Sequence, residues 1–196
     1  DGSLLNVPWW GDDPDFNKSD WALDTVELYE WRGLLFISLS PEIPLEVQLG
    51  ALVSEIEDEP IEKYKWVHEE RLVFDANWKI YTDNFVEGYH IPGIHPKFHS
   101  AIEFEKFETI ALEGMVKMTA PPREELFYRG KWLWMWPNWT LSLFDGGMNT
   151  SRINPINHHE TELIYNFYFE DISKNNAPKR AKIIADNLEV IREDFE

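Results

Sequence analysis

Cysteine is absent from all 196 residues. That excludes disulfide bonds, thiolate nucleophiles and any metal centre built on sulfur ligands, and it agrees with a reducing compartment, so a cytoplasmic setting is expected. No run of 18 or more apolar residues occurs either, which leaves no candidate for a membrane-spanning helix. Cations are scarce: 18 Lys and Arg stand against 36 Asp and Glu, for a formal net charge of −18. Such a field repels phosphate backbones and anionic lipid, so neither nucleic acid nor a membrane is expected as a partner. Aromatic side chains are plentiful instead, with ten Trp, twelve Phe and seven Tyr. They suit a core or pocket lined by large flat groups. The length allows one substantial domain, burying about 70% of its extended surface.

Residues able to do chemistry gather between Asn77 and Pro96, NWKIYTDNFVEGYHIPGIHP. Asn77 is placed to cap a helix beginning at Trp78. Trp78, Tyr81, Phe85 and Tyr89 recur at helical spacing, and Pro92-Gly93 is expected to end that helix, with His90 on its last turn and His95 beyond the break. Along an unbroken helix, five residues would aim the two imidazoles about 140° apart. A break is what lets both face one point. Glu87 lies one turn before His90, where it can accept a hydrogen bond beside a metal site. Asp83 and Asn84 lie further back.

Spacing alone leaves two readings of the histidine pair: local capping around a Pro-Gly turn, or metal ligation. With no thiolate available, a metal would be held by imidazole and carboxylate, a set that serves non-haem ferrous iron and also zinc. The third ligand must come from elsewhere. From Pro178 the chain carries Ile183, Ile184, Leu188 and Ile191 at helical spacing and then Glu193 and Asp194. Periodicity does not single out Asp194 from the other acids.

Asn84-x-x-Glu87-x-Tyr89-His90, four residues and then His95-Pro96 resembles the iron-binding signature of Rieske non-haem iron oxygenase alpha subunits of the ring-hydroxylating type. Arg192-Glu193-Asp194 resembles the end of their C-terminal helix, where an acid–Asp pair supplies the carboxylate ligand. The resemblance implies that His90, His95 and Asp194 bind Fe(2+). It also implies that Glu87 joins this iron to the cluster of an adjacent subunit, that Asn84 is a polar residue of the site and that Tyr89 supports it. The implied activity is oxygen insertion from O2 into a small organic substrate by hydroxylation, dihydroxylation or oxidative demethylation. Electrons would come from NAD(P)H through a reductase or ferredoxin, and a homotrimer is implied. Glutamate at position 87 is more similar to the choline, carnitine and betaine monooxygenase branch than to aromatic-ring dihydroxylases.

A Rieske 2Fe-2S cluster needs two cysteines and two histidines, so it is expected only in the intact protein, upstream of Asp1-Gly2-Ser3-Leu4. Residues 1–24 are then the tail of the cluster domain and a linker, and residues 25–196 the catalytic domain, truncated just after Asp194. Loss of the turns that would anchor this ligand puts iron occupancy in question.

Elsewhere, Val26–Leu39 reads as one or two strands about Arg32-Gly33, and Pro44–Glu57 as an amphipathic helix. Tyr64–Phe74 reads as a strand leading to the histidine stretch. Phe98–Phe104 is weakly structured, and His99 within it is better explained by a loop than as a ligand. Phe107–Met118, Trp132–Trp136, Thr140–Phe144 and Glu162–Phe169 read as antiparallel strands, with hairpins at Asp145-Gly146-Gly147 and His158-His159-Glu160. Trp132, Trp134 and Trp136 would share one strand face, either as core or as a pocket wall. Trp134, Trp136 and Asn138 are the candidate pocket residues. The pattern predicts an α+β domain, and the resemblance implies a helix-grip (START-like) curved antiparallel sheet against a long C-terminal helix.

Such a fold also serves non-catalytic modules that bind hydrophobic ligands. A zinc hydrolase with Glu87 as general base is a third reading. The feature that decides is whether His90, His95 and Asp194 converge.

Overall fold

The computed structural model describes residues 2–9, 11, 13–123 and 128–195. Asp1, at the head of the expected linker, lies outside them. The chain forms two compact units, Asp1–Leu45 and Glu46–Glu196.

In the first unit a 3-10 turn at Lys18–Trp21 is capped by the Asn17 side chain, which accepts from Ser19 N. Strands β1 (Glu27–Trp31) and β2 (Leu34–Ser38) form an antiparallel hairpin in which Trp31 faces Leu34. The two-residue turn holds Arg32 and Gly33 at φ 49° and 87°. That left-handed pair matches strand twist and explains the glycine. The bend expected at Arg32-Gly33 is this hairpin.

The second unit is built on a seven-stranded sheet in the order β3-β9-β8-β7-β6-β5-β4, antiparallel throughout. The strands are β3 (Lys65–Phe74), β4 (Glu108–Leu112), β5 (Met115–Thr119), β6 (Lys131–Met135), β7 (Trp139–Phe144), β8 (Gly147–Pro155) and β9 (Thr161–Phe169). β8 was not among the expected strands. Its sequence, GMNTSRINP, is polar, yet five of its first five residues are buried at the sheet centre. Several of the polar groups pair internally: Thr140 and Ser151 share a hydroxyl–hydroxyl bond, and Asn149 Nδ2 donates to Asn187 Oδ1 at 2.8 Å.

The expected helix from Pro44 to Glu57 is two short ones, α1 (Leu45–Leu49) and α2 (Ala51–Glu55). Gly50, at φ 45° and ψ −122°, interrupts the helical path between them. Glu55 on α2 bonds Lys117 and Lys131, whose strands direct them to the Leu133 side of the sheet. The opposite side, that of Trp132 and Asn149, is covered by α6 (Ala177–Glu193). Ile183, Leu188 and Ile191 of α6 are buried there with Trp132, Tyr165 and Phe167. The result is a curved antiparallel sheet packed against a C-terminal helix, an α+β arrangement. No helix among the described residues is long and apolar enough to cross a membrane.

The histidine stretch departs from its expected form. Helix α3 (Trp78–Phe85) is capped by Asn77, whose side chain accepts from Lys79 N at 3.0 Å, but it stops at Phe85 rather than reaching His90. Tyr89 is 92% exposed and off the apolar face. Pro92 does not end a helix. It sits in the first turn of α4 (Ile91–Ile94), where a missing N–H costs nothing, and Pro96 likewise opens α5 (Pro96–Ala101), which replaces the loop expected after it.

Candidate metal centre

His90 and His95 occupy the two ends of α4. His90 is its N-cap; His95 is its C-cap and also the N-cap of α5. Two chain breaks around a single helical turn thus do what one unbroken helix forbids, and the imidazole rings come to 5.0 Å between centroids, nearly perpendicular at 80°. Asp194 arrives from the C-cap of α6. One ligand atom from each of His90, His95 and Asp194 lies within 4.8 Å of the others. His95 Nε2 is 3.0 Å and His90 Nε2 3.8 Å from Asp194 Oδ1.

The far side of each ring also meets a carboxylate. His90 Nδ1 bonds Glu87 Oε1, and Glu87 Oε2 accepts from Tyr89 N. His95 Nδ1 is 2.8 Å from Glu193 Oε2. Both Nε2 atoms therefore face Asp194 while both Nδ1 atoms face outward, the orientation that carboxylate–histidine–metal sites use. His95 is 2% exposed. Burial alone would pull its pKa down, but the hydrogen bonds and charges of Asp194 and Glu193 outweigh that and raise it. Three carboxylates around two imidazoles leave an excess of negative charge that a dication offsets, so the donor set fits a divalent metal. A mononuclear Fe(II)-binding triad is present in His90, His95 and Asp194.

The ligand at the end of α6 is fastened from several sides. Asn84 Nδ2 donates to Asp194 Oδ1 at 3.0 Å. Arg192 reaches Glu70 of β3 at 2.8 Å, and the Phe195 ring stacks on Phe74 at 4.3 Å. These three contacts anchor the end of α6.

A cavity opens beside the triad, walled by Tyr81, Phe98, Phe107, Tyr128, Trp132 and Tyr165. The Tyr81 and Tyr165 hydroxyls pair at 3.2 Å, and burial raises both pKa values, that of Tyr165 to about 12. The wall thus stays uncharged.

The candidate pocket residues Trp134, Trp136 and Asn138 do not line this cavity, whereas Trp132 of β6 does. Trp134 is buried in the core with its Nε1 unbonded, and Trp136 is 67% exposed past the strand end. Asn138 serves the backbone, donating from Nδ2 to Ile153 O at 3.1 Å. His99 packs on Phe104, and the His158 and His159 rings lie tilted against each other at the exposed hairpin tip; none joins the triad. The contact of Glu193 with His95 and the aromatic wall from β9 and α5 were not foreseen in the sequence. Neighbouring helical residues point about 100° apart, so nothing in the sequence suggested that Glu193 would reach the same histidine as Asp194.

Residues 61–121 match the ring-hydroxylating alpha subunit (catalytic domain) family. That span holds Asn84, Glu87 and both histidines, and the triad is completed from the far end of the chain. Over that span the chain resembles the catalytic domain of ring-hydroxylating alpha subunits. It is 22% identical over 209 residues to the chloroplastic choline monooxygenase of Amaranthus tricolor, covering 99% of this chain and 47% of that protein. To the carnitine monooxygenase oxygenase subunit of Escherichia coli (strain K12) it is 26% identical over 187 residues, covering 86% and 49%. The crystal structure of the quaternary ammonium Rieske monooxygenase CntA in complex with L-carnitine shares its fold, with a TM-score of 0.80 at 21% identity, covering 99% of this chain and 55% of that one. The chain thus spans about half the length of the curated relatives it matches. Having no cysteine, these 196 residues do not supply the two cysteines that a Rieske cluster needs.

Proposed function

We propose that this domain is the oxygen-inserting part of an enzyme that hydroxylates or oxidatively demethylates a small organic substrate at a mononuclear Fe(II). The observation that carries the reading is the convergence of two imidazoles and one carboxylate beside an aromatic cavity. A module that only carried a hydrophobic ligand would have no use for it.

His90, His95 and Asp194 would hold the iron. Bound there, Fe(II) would supply the redox chemistry that activates O2. Glu87 accepts from His90 Nδ1, leaving the Nε2 lone pair to face the metal. We also assign to Glu87 the route by which electrons enter from the Rieske cluster of a neighbouring subunit, which requires a homotrimer and a reductase or ferredoxin using NAD(P)H. Such partners suit a cytoplasmic setting. Asn84 keeps the Asp194 carboxylate aimed through its 3.0 Å bond. The aromatic wall excludes water and orients substrate.

For the substrate we propose a quaternary ammonium compound. Glu87 supports this branch, as do relatives named for choline, carnitine and glycine betaine. The wall suits it too, since each well-placed ring attracts a cation by about 1–2 kcal/mol. The curved antiparallel sheet packed against α6 supports a fold of the helix-grip type.

Anaerobic Fe(II) titration followed by calorimetry tests the centre. We expect about one equivalent bound per chain, and its loss in His90→Ala. Equal weak binding by both proteins would end this account.

A further inference from the structure

Glu193 sits where nothing assigned to the metal centre explains it. It is the last residue of α6, and Asp194 is the cap that follows. Consecutive helical side chains diverge, yet these two approach the same imidazole, Glu193 at Nδ1 (2.8 Å) and Asp194 at Nε2 (3.0 Å). The His95 ring is thus gripped between two successive acids.

The two contacts compete for the proton of a neutral ring. Asp194 next to Nε2 favours a proton on Nε2, which removes the lone pair that a metal needs. Glu193 at Nδ1 favours the other tautomer, which frees Nε2. His95 is almost wholly buried, so losing the Glu193 carboxylate removes the acceptor that the ring has at Nδ1. An orphaned Nδ1–H would be costly, and the proton would move to Nε2.

We propose that Glu193 is a positioning residue for the metal centre: it holds the proton of His95 on Nδ1, so that Nε2 faces the metal as a ligand. Glu87 stands in the same relation to His90 but from only three residues away. Glu193 acts from the far end of the chain, and so couples the seating of α6 to the ligating state of a histidine in the middle of the sequence. This inference rests on the reading of His90, His95 and Asp194 as metal ligands.

The test pairs metal affinity with a spectroscopic signature. Fe(II) is titrated anaerobically into wild type, Glu193→Ala and Glu193→Gln, and Zn(II)-loaded samples of each are examined by NMR for the His95 Nδ1–H resonance. Wild type should bind about one Fe(II) and show a protected downfield Nδ1–H. Glu193→Ala should bind roughly 10- to 100-fold more weakly, the usual effect of losing such a partner, and the resonance should vanish. The Gln amide oxygen still accepts the bond, so Glu193→Gln should recover most of the affinity and keep the resonance, shifted upfield because an amide is the weaker acceptor. Unchanged Fe(II) affinity in Glu193→Ala, or a persistent resonance, overturns the proposal while leaving the triad intact. An unshifted resonance in Glu193→Gln overturns it even if the Ala variant does not fold. If wild type binds neither metal, the metal-centre reading fails and this inference with it.

Discussion

Single residues carry much of the site's geometry. Gly88 follows the end of α3, and a Cβ placed there would lie 2.5 Å from Phe107, one of the rings that wall the cavity. The backbone passes close because no side chain intervenes. Gly88→Ala should therefore cost about 1–3 kcal/mol of stability by overpacking, measured by urea denaturation. The cost should shrink when Phe107→Ala is added, because the two changes share one contact. An unchanged cost in the double variant would locate the strain elsewhere. Asn77 shows economy of another kind: its oxygen caps α3 and its nitrogen donates to His158 O, pinning the β8–β9 hairpin to the helix that leads to the ligands.

Among the elements, α6 and the short α4 matter most. The end of α6 depends on Phe195, stacked on Phe74 and tilted against Tyr81. An aromatic pair of this kind contributes about 0.5–1.5 kcal/mol. Phe195→Ala should loosen Asp194 and weaken Fe(II) binding by up to about tenfold, read by the same calorimetry, with the far-UV CD spectrum unchanged. Full affinity would show that the Arg192–Glu70 pair and Asn84 suffice. The elements were legible in the sequence where side chains alternate or recur against a buried face, as in β3, β9 and α6. They were illegible where polar residues satisfy one another inside. β8 looks like a loop because Asn149, Thr150 and Ser151 are hydrophilic, and only the structure supplies their buried partners. The α4 turn misled for another reason. A proline inside a helical pattern reads as a stop, whereas Pro92 here marks a start. The histidine pair and Asp194 were visible through the motif, but the member of the tryptophan stripe that reaches the cavity was not. Which of Trp132, Trp134 and Trp136 meets the cavity depends on how far along β6 the covering helices reach, a tertiary fact that no spacing encodes.

At the scale of the whole molecule, the excess of acid makes each well-placed cation count. Lys117 and Lys131 converge on Glu55 and fasten α2 to the sheet. Burial raises the Glu55 pKa, but the bonds and charges of the two lysines more than reverse this, so it lies below the ordinary 4.5. A carboxyl whose folded pKa is depressed stabilises the fold above the unfolded value, and that contribution fades as pH falls through the folded one. Glu55→Gln should thus cost roughly 1 kcal/mol at pH 7, and the gap between variant and wild type should close below about pH 4.5. Urea denaturation as a function of pH would measure it, and a gap constant down to pH 3 would rule out this pairing as the cause.

The triad draws its members from the middle of the chain and from its far end. A dication bound there would work as a removable staple between two segments that sequence keeps far apart. At one hundred times its dissociation constant, a ligand selective for the native state adds about 2.7 kcal/mol to stability. A chelator would take that away and leave the tail to its side-chain contacts alone, so the protein's hold on its metal and its resistance to proteases should rise and fall together.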